Sequence, residues 1–530
     1  MDRKLSICAV LITLLLCFGP VVYLLCTTLA SSLGIEAYSP LRPRAYGDML
    51  LNSVAVAGGA TAFSLLVAVP LSLALFKLRI RFRKFFLVMV VGAAVVPLYI
   101  YAAAWLGPLR IPLLPFDLSN GQSLTSGRGV RLIQAILVSG LAKVFVATVL
   151  MGLSLWGLSP EAEEAAWLET GRRGVLRHVV LRHVVGSLLF AGSIVLGLSL
   201  SEIAVTDMLS IRTLAEESYM QFQLTLNPGV AAISGVGAFF PTLIPWLTLL
   251  ACKSGRSLIL ADEPLYATES AVFRDVPRVL QWVGCAGVLI VLAIALGIPL
   301  LSLMQTIGSV STFMSKVTVA FEELTSSLLI ALLASLATVA VAFPIVYMTR
   351  GKRSISLIVA VSLCGLFVPG AVLGIALVRL FNRPGLFSLI YSSPLMLLLG
   401  QALRYFPLAV IALWVFLRAV PRIYDEMTAA DGIRFRQALV HVYVPICRGP
   451  LLWTWAMTFL WCIGELDTSL IVCPPGRTTL PIRIFTMMHY GVYADVASAC
   501  LLLLGTVFVF TTIVLMGVTR YARKRNSVTH

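Results

Sequence analysis

The chain has 530 residues, 59% of them hydrophobic and 12% charged, with ten cysteines and a formal net charge of +16. A soluble domain carries about 25% charged residues, so this composition and a mean hydropathy of +0.96 exclude a water-soluble globule and make lipid the expected solvent. The basic excess would suit nucleic acid, but its placement along the chain excludes that partner.

A helix crosses a bilayer with roughly 20 apolar residues. Twelve stretches meet that length: 6–28, 50–76, 85–107, 132–156, 184–205, 230–252, 279–303, 324–348, 355–380, 394–417, 450–472 and 495–519. The first follows Arg3 and Lys4, yet its apolar run is too long for a signal peptide and no A-x-A site follows, so it reads as a retained helix. With both termini inside, the predicted cytoplasmic segments hold 27 Lys and Arg and the predicted outside loops hold 10. That bias sets the orientation by the positive-inside rule. The cysteines lie mostly in or beside apolar spans and form no C-x-x-C pair, so they read as small core residues. The five histidines form no ligand cluster, and no metal site is expected.

Several features recur about half a chain apart. Glu164-Ala165-Ala166 and Glu426 open two polar segments 262 positions apart. Lys143 and Arg404 fall halfway along the fourth span of each half. Pro70 and Pro344 sit late in the second spans, Pro97 and Pro369 inside the third. Glu202 and Glu465 fall in the fifth, one residue off the same spacing. The expected fold class is therefore an all-α polytopic membrane protein of about twelve transmembrane helices in two parallel six-helix repeats. The first repeat spans 1–252, a cytoplasmic linker 253–278, and the second repeat 279–530. Parallel repeats also suit a proton- or sodium-driven secondary carrier of the major-facilitator class. The Gly- and acid-bearing loop that class carries between helices two and three is here Lys77 to Lys84, with neither Gly nor acid.

The long cytoplasmic loops, 159–183 and 419–447, lie between helices four and five of each half. Ser159-Pro160-Glu161 is a good helix start, with Glu161 and Glu163 at the positive end of the dipole. Gly171 and Gly174 are expected to break that helix. The second loop starts after Pro421, carries Asp425 and Glu426 in its first turn, and stops at Gly432. Short interfacial helices are common between spans, and one alone would mean little. Two at matching places point to a docking element engaged twice.

At these residues the chain resembles the permease subunits of binding-protein-dependent ABC importers of type I, whose loop pattern is E-A-A, then Gly six positions after the Glu and often Pro thirteen after that. The second loop matches at Glu426, Gly432 and Pro445, with Ala429 between, but has Met427-Thr428 where Ala-Ala is usual. The first has Glu164, Ala165 and Ala166, with Thr170 at the Gly position, Gly171 one later and His183 at the Pro position. The resemblance implies a bacterial inner-membrane subunit with no catalytic residue of its own. It would couple through these loops to two copies of a cytoplasmic ATPase and take solute from a periplasmic or extracellular binding protein. The chain has no G-x-x-x-x-G-K-[ST], so ATP would be bound by the partner subunits, and no cofactor is expected here.

Fused double permeases resemble ferric-iron importers most closely. Trp461-Cys462-Ile463-Gly464-Glu465-Leu466 is similar to a segment those proteins carry, and thiamine permeases share the architecture, so thiamine or another small solute is the alternative. An ionisable group at mid-membrane costs roughly 2.5–3.5 kcal/mol on insertion scales. Glu202, Glu465, Asp467, Lys143 and Arg404 therefore either pair as structural ions or face a translocation path.

Overall fold

The protein is described from a computed structural model, over residues 2–32, 43–78, 80–106, 127–156, 158, 160–225, 277–351, 354–418, 420–421 and 423–526. Among these residues the secondary structure is helical, without strands. The predicted sixth span, 230–252, and most of the linker lie outside them.

In chain order the first half contains α1 (Asp2–Ser32), α2 (Pro43–Phe76), α3 (Arg83–Ala94), α4 (Leu98–Trp105), α5 (Arg128–Trp156), α6 (Pro160–Gly174), α7 (Leu181–Leu200), α8 (Ala204–Met208) and α9 (Leu214–Thr225). The second contains α10 (Arg278–Leu292), α11 (Ile298–Ile307), α12 (Val310–Thr349), α13 (Ser354–Leu366), α14 (Gly370–Phe381) and α15 (Leu395–Leu417). It continues through α16 (Ile423–Ala430), α17 (Arg448–Ile463), α18 (Ser469–Val472), α19 (Leu480–His489) and α20 (Tyr493–Asn526). Leu11, Leu66 and Ile513 point outward at 59%, 75% and 62% exposure, as expected where lipid replaces water.

Three of the twelve expected spans differ from an unbroken helix. Among the described residues, 8 helices are long and apolar enough to cross a membrane, and up to 10 if each of two bent pairs is one span. Those pairs are α3 with α4, bent by 91°, and α13 with α14, bent by 94°. Pro97 and Pro369 stand at the start of the second segment of each pair with extended backbone, because Pro removes an N–H and disfavours helix at the residue before it. Pro70 and Pro344, by contrast, are carried inside continuous α2 and α12. The third difference is the eleventh span. α17 has 16 residues, about 24 Å at helical rise, and stops at Gly464 instead of running to 472.

The two halves interlock. α1 packs on the other half: Ala9 and Cys17 join a core with Phe343, Leu363 and Phe406, and Val21 and Leu24 join another with Ala371 and Ile375. Ser302 of α11 donates to the Ala104 carbonyl at 2.8 Å. A Cβ on Gly464 would overlap the ring of Pro97, and one on Gly197 would overlap Phe367. Each contact joins the break of a third span to the fifth span of the other half. α2 and α12 are also tied far from their cytoplasm-predicted ends. Ser53 accepts from the Leu214 N–H at 2.9 Å, and Ser327 from the Leu480 N–H at 2.8 Å.

Two measurements probe this packing. Gly464→Val should lower stability by about 1–3 kcal/mol, the usual cost of overpacking, seen as a lower Tm in detergent. Gly505→Val, where a Cβ meets nothing within 4 Å, should leave Tm unchanged. Across the halves, His489 Nε2 lies 2.8 Å from Asp207 Oδ2. The Asp207 hydrogen bond raises the imidazole pKa above its usual 6.5. A raised folded pKa contributes stability that is full below the unfolded value and lost as pH rises through the folded one. Tm should therefore fall from about pH 6 upward, and Asp207→Asn should flatten that slope.

Candidate functional site

Two places concentrate polar chemistry: the paired loops and a cavity between the halves. In the first loop, α6 begins at Pro160 with Glu161 and Glu163 in its first turn. Its backbone leaves helical geometry at Gly171, with φ 69°. Gly174, expected to break the helix as well, stays helical and leads into a π-type turn over Val175–Val180. The second loop has the same build. α16 carries Asp425 and Glu426 in its first turn, Gly432 follows at φ 63°, and a π-type turn covers Ala438–Tyr443. Positive φ suits glycine at both turns. Glu426, Ala429, Gly432 and Pro445 are exposed, as is Ala165, while Glu164 and Ala166 are half-buried.

Each loop helix is fastened by the acid just before the Glu of the repeated pattern. Glu163 is fully buried and pairs with Lys77, just past α2. Asp425 pairs with Arg350, just past α12, at 3.4 Å, and accepts from the Tyr443 hydroxyl. Arg350 also donates to the Val420 carbonyl. Burial, then the Asp425 bond, pushes the Tyr443 phenol above its ordinary value, so it remains a donor. Each loop helix also carries uncovered apolar side chains. Trp167 and Leu168 are 38% and 85% exposed, Ile423 and Met427 54% and 56%.

The cavity encloses about 140 Å³ and draws its lining from both halves. All five intramembrane charges singled out from the sequence line it: Lys143, Glu202, Arg404, Glu465 and Asp467. Its walls are the breaks at Val95–Pro97, Ser201–Ile203 and Gly464–Asp467, with Tyr99, Tyr405 and Trp461 beside them. Glu202 and Glu465 lie just past the ends of α7 and α17, not within those helices as expected. The reason is local. Glu202 accepts from the Val205 N–H at 2.8 Å. Glu465 accepts from Thr468 N–H at 2.6 Å, from Ser469 N–H at 2.9 Å and from the Ser469 hydroxyl. Each carboxylate thus caps the next helical turn, satisfying donors that the break exposes.

Among the described residues none of the five charges forms an ion pair, so the mutual pairing considered for them is absent there. Arg404 donates instead to the Leu366 and Val368 carbonyls at the α13–α14 break, and to Ser201 of the other half at 3.3 Å. Lys143 is buried, and its ammonium has no hydrogen-bond partner. No group of three or more His, Cys, Asp or Glu among the described residues is placed to hold a metal.

Sequence reasoning missed Lys77, Glu163, Arg350, Asp425 and Tyr443 as a fastening set. Its signal was available: a base just after the second span and an acid just before Glu164 and Glu426, in both halves. Because removing one partner of a buried pair leaves an uncompensated charge, Lys77→Met should cost about 3–5 kcal/mol, read from thermal unfolding in detergent. Adding Glu163→Leu to it should recover most of that loss.

No family model and no solved structure matches the chain. The chain is similar to "Putative 2-aminoethylphosphonate transport system permease protein PhnV" of Salmonella typhimurium, at 30% identity over 105 residues. The Salmonella choleraesuis and Salmonella paratyphi A proteins of that name are 31% and 30% identical over 104 and 105 residues. These matches cover 20% of this chain and 36–37% of the relatives' own length.

Proposed function

We propose that this chain is the permease subunit of an ABC importer in a bacterial inner membrane. Two parallel six-helix repeats, 1–252 and 279–530, would form the path, with both termini cytoplasmic. Two copies of a separate ATPase would seat the loops 159–183 and 419–447, and a binding protein would deliver the solute. The observation that carries this reading is the matched construction of the loops. Each is a short helix fastened inward by one acid, ended by a positive-φ glycine, with apolar side chains left uncovered. The partial similarity to a phosphonate permease agrees with it. ATP-driven closure of the partners would move the loops, and the halves with them, around the cavity.

The substrate expected from the segment Trp461 to Leu466 is ferric iron, with thiamine as the alternative. The relatives' name adds a phosphonate. In the cavity wall Lys143 favours a solute with an anionic group, while Glu202, Glu465 and Asp467 beside it favour one with a cationic group. The coupling role of Glu164 and Glu426 is tested by replacing both with Lys. Uptake in cells that also carry the partner ATPase should vanish and the ATPase should no longer co-purify, while the chain still inserts. Uptake that persists without the ATPase and collapses with an uncoupler would identify a secondary carrier instead.

A further inference from the structure

We propose that the cavity between the halves is a recognition site for a small zwitterion, with its anionic group on Lys143 and its cationic group on Asp467. The proposal rests on the permease reading only for the direction of transport; the site itself is argued from the cavity.

Four of the five charges have matching positions in the two halves, yet the halves use them unequally. Glu202 and Glu465 are both spent on backbone N–H groups at 2.8 Å and 2.6 Å. Arg404 is spent on the carbonyls of the α13–α14 break and on Ser201. Lys143, at the place in α5 that answers to Arg404 in α15, reaches none of the carbonyls at the α3–α4 break. It is 7% exposed, and among the described residues its ammonium has no hydrogen-bond partner. A buried cation without an acceptor is costly, so an acceptor supplied from the cavity lowers its energy.

Asp467 is the second unused group. It sits two residues past Glu465 in the same break, and its carboxylate takes part in no ion pair among the described residues. Gly370 leaves room for it, since a Cβ there would come 2.6 Å from the Asp467 Cβ. Lys143 and Asp467 both line the cavity, where Glu202 is the stronger charge influence on Lys143 and Asp467 the second. A solute that joins an anionic end to a cationic end a few bonds away satisfies both. At about 10–15 Å³ per water-sized group, the cavity holds roughly ten heavy atoms. That fits a short aminophosphonate or amino acid. A bare ferric ion would meet Lys143 and Arg404 as repelling charges and find two of three carboxylates already capped.

Trp461 in the cavity wall gives a readout that needs no ATPase or binding protein. The chain in nanodiscs is titrated with 2-aminoethylphosphonate, methylphosphonate, ethanolamine and ferric citrate, following fluorescence lost in Trp461→Phe. Saturable quenching by 2-aminoethylphosphonate is expected, at least tenfold tighter than by the two one-charge probes. Lys143→Met should erase its advantage over ethanolamine, Lys143→Arg should keep it, and Asp467→Asn should erase its advantage over methylphosphonate. Equal binding of all three, no saturable quenching, or tighter binding of ferric citrate would overturn the proposal. Should Lys143→Met fail to insert, discrimination among the probes by the natural chain decides. ATPase co-purification is scored separately. If it persists without probe binding, the zwitterion site falls and the permease reading stands; if it fails while binding persists, the reverse holds.

Discussion

Inside lipid every backbone N–H and C=O must find a partner within the protein, and this constraint organises the centre of the molecule. Four spans break there, at Val95–Pro97, Ser201–Ile203, Phe367–Pro369 and Gly464–Thr468. Each break frees donors or acceptors that water would otherwise satisfy. Glu202 and Glu465 cover freed N–H groups, and Arg404 covers freed carbonyls. Charges that would be expensive in hydrocarbon are thereby tolerated at the sites where the chain needs strong donors and acceptors.

The same constraint produces the cavity. A helix that turns by 91° or 94° cannot pack along its whole length, so the space beside each bend must be filled by the other half or left open. Pro97 against Gly464 and Phe367 against Gly197 fill part of it. The remainder is lined by charged side chains from both halves. A polar chamber at the meeting point of broken helices is thus a consequence of the bends, and its chemistry is set by whichever charges the backbone leaves unused.

Much of this was legible from residues alone. The apolar runs located α1, α2, α5, α12, α15 and α20, and the repeated polar segments located α6 and α16 with their glycine turns. Lys143, Arg404, Glu202, Glu465 and Asp467 were singled out by the cost of burying them, and all five line one cavity. What could not be read was how each charge is satisfied. Hydropathy sees Ile463 and Ile471 as one apolar run, while the break between them depends on Glu465 finding Thr468 and Ser469 N–H groups three and four residues on. Proline was ambiguous for a similar reason. Pro97 breaks its helix and Pro70 does not, and nothing in a single sequence separates them. The bases Lys77 and Arg350 and the acids before the loop Glu stood in the sequence, but joining them required knowing that the end of a second span returns beside the loop between the fourth and fifth.

That last arrangement gives the proposed mechanism its mechanical part. Lys77 and Arg350 fasten the loop helices to the ends of α2 and α12. Near their other ends, Ser53 and Ser327 hold the first N–H of α9 and α19, and Arg483 pairs with Glu323 beside Ser327. From Ser53 to Lys77 is 24 helical steps, about 36 Å at 1.5 Å each, enough to cross the hydrocarbon core. Each rod is therefore tied by polar contacts at both faces. A packed helix shifts as a body more readily than it deforms, so in the proposed mechanism a push on α6 or α16 would reach α9 or α19. The cavity is lined from both halves, so under the proposed mechanism such a shift would act on Lys143 in α5 and Asp467 beyond α17.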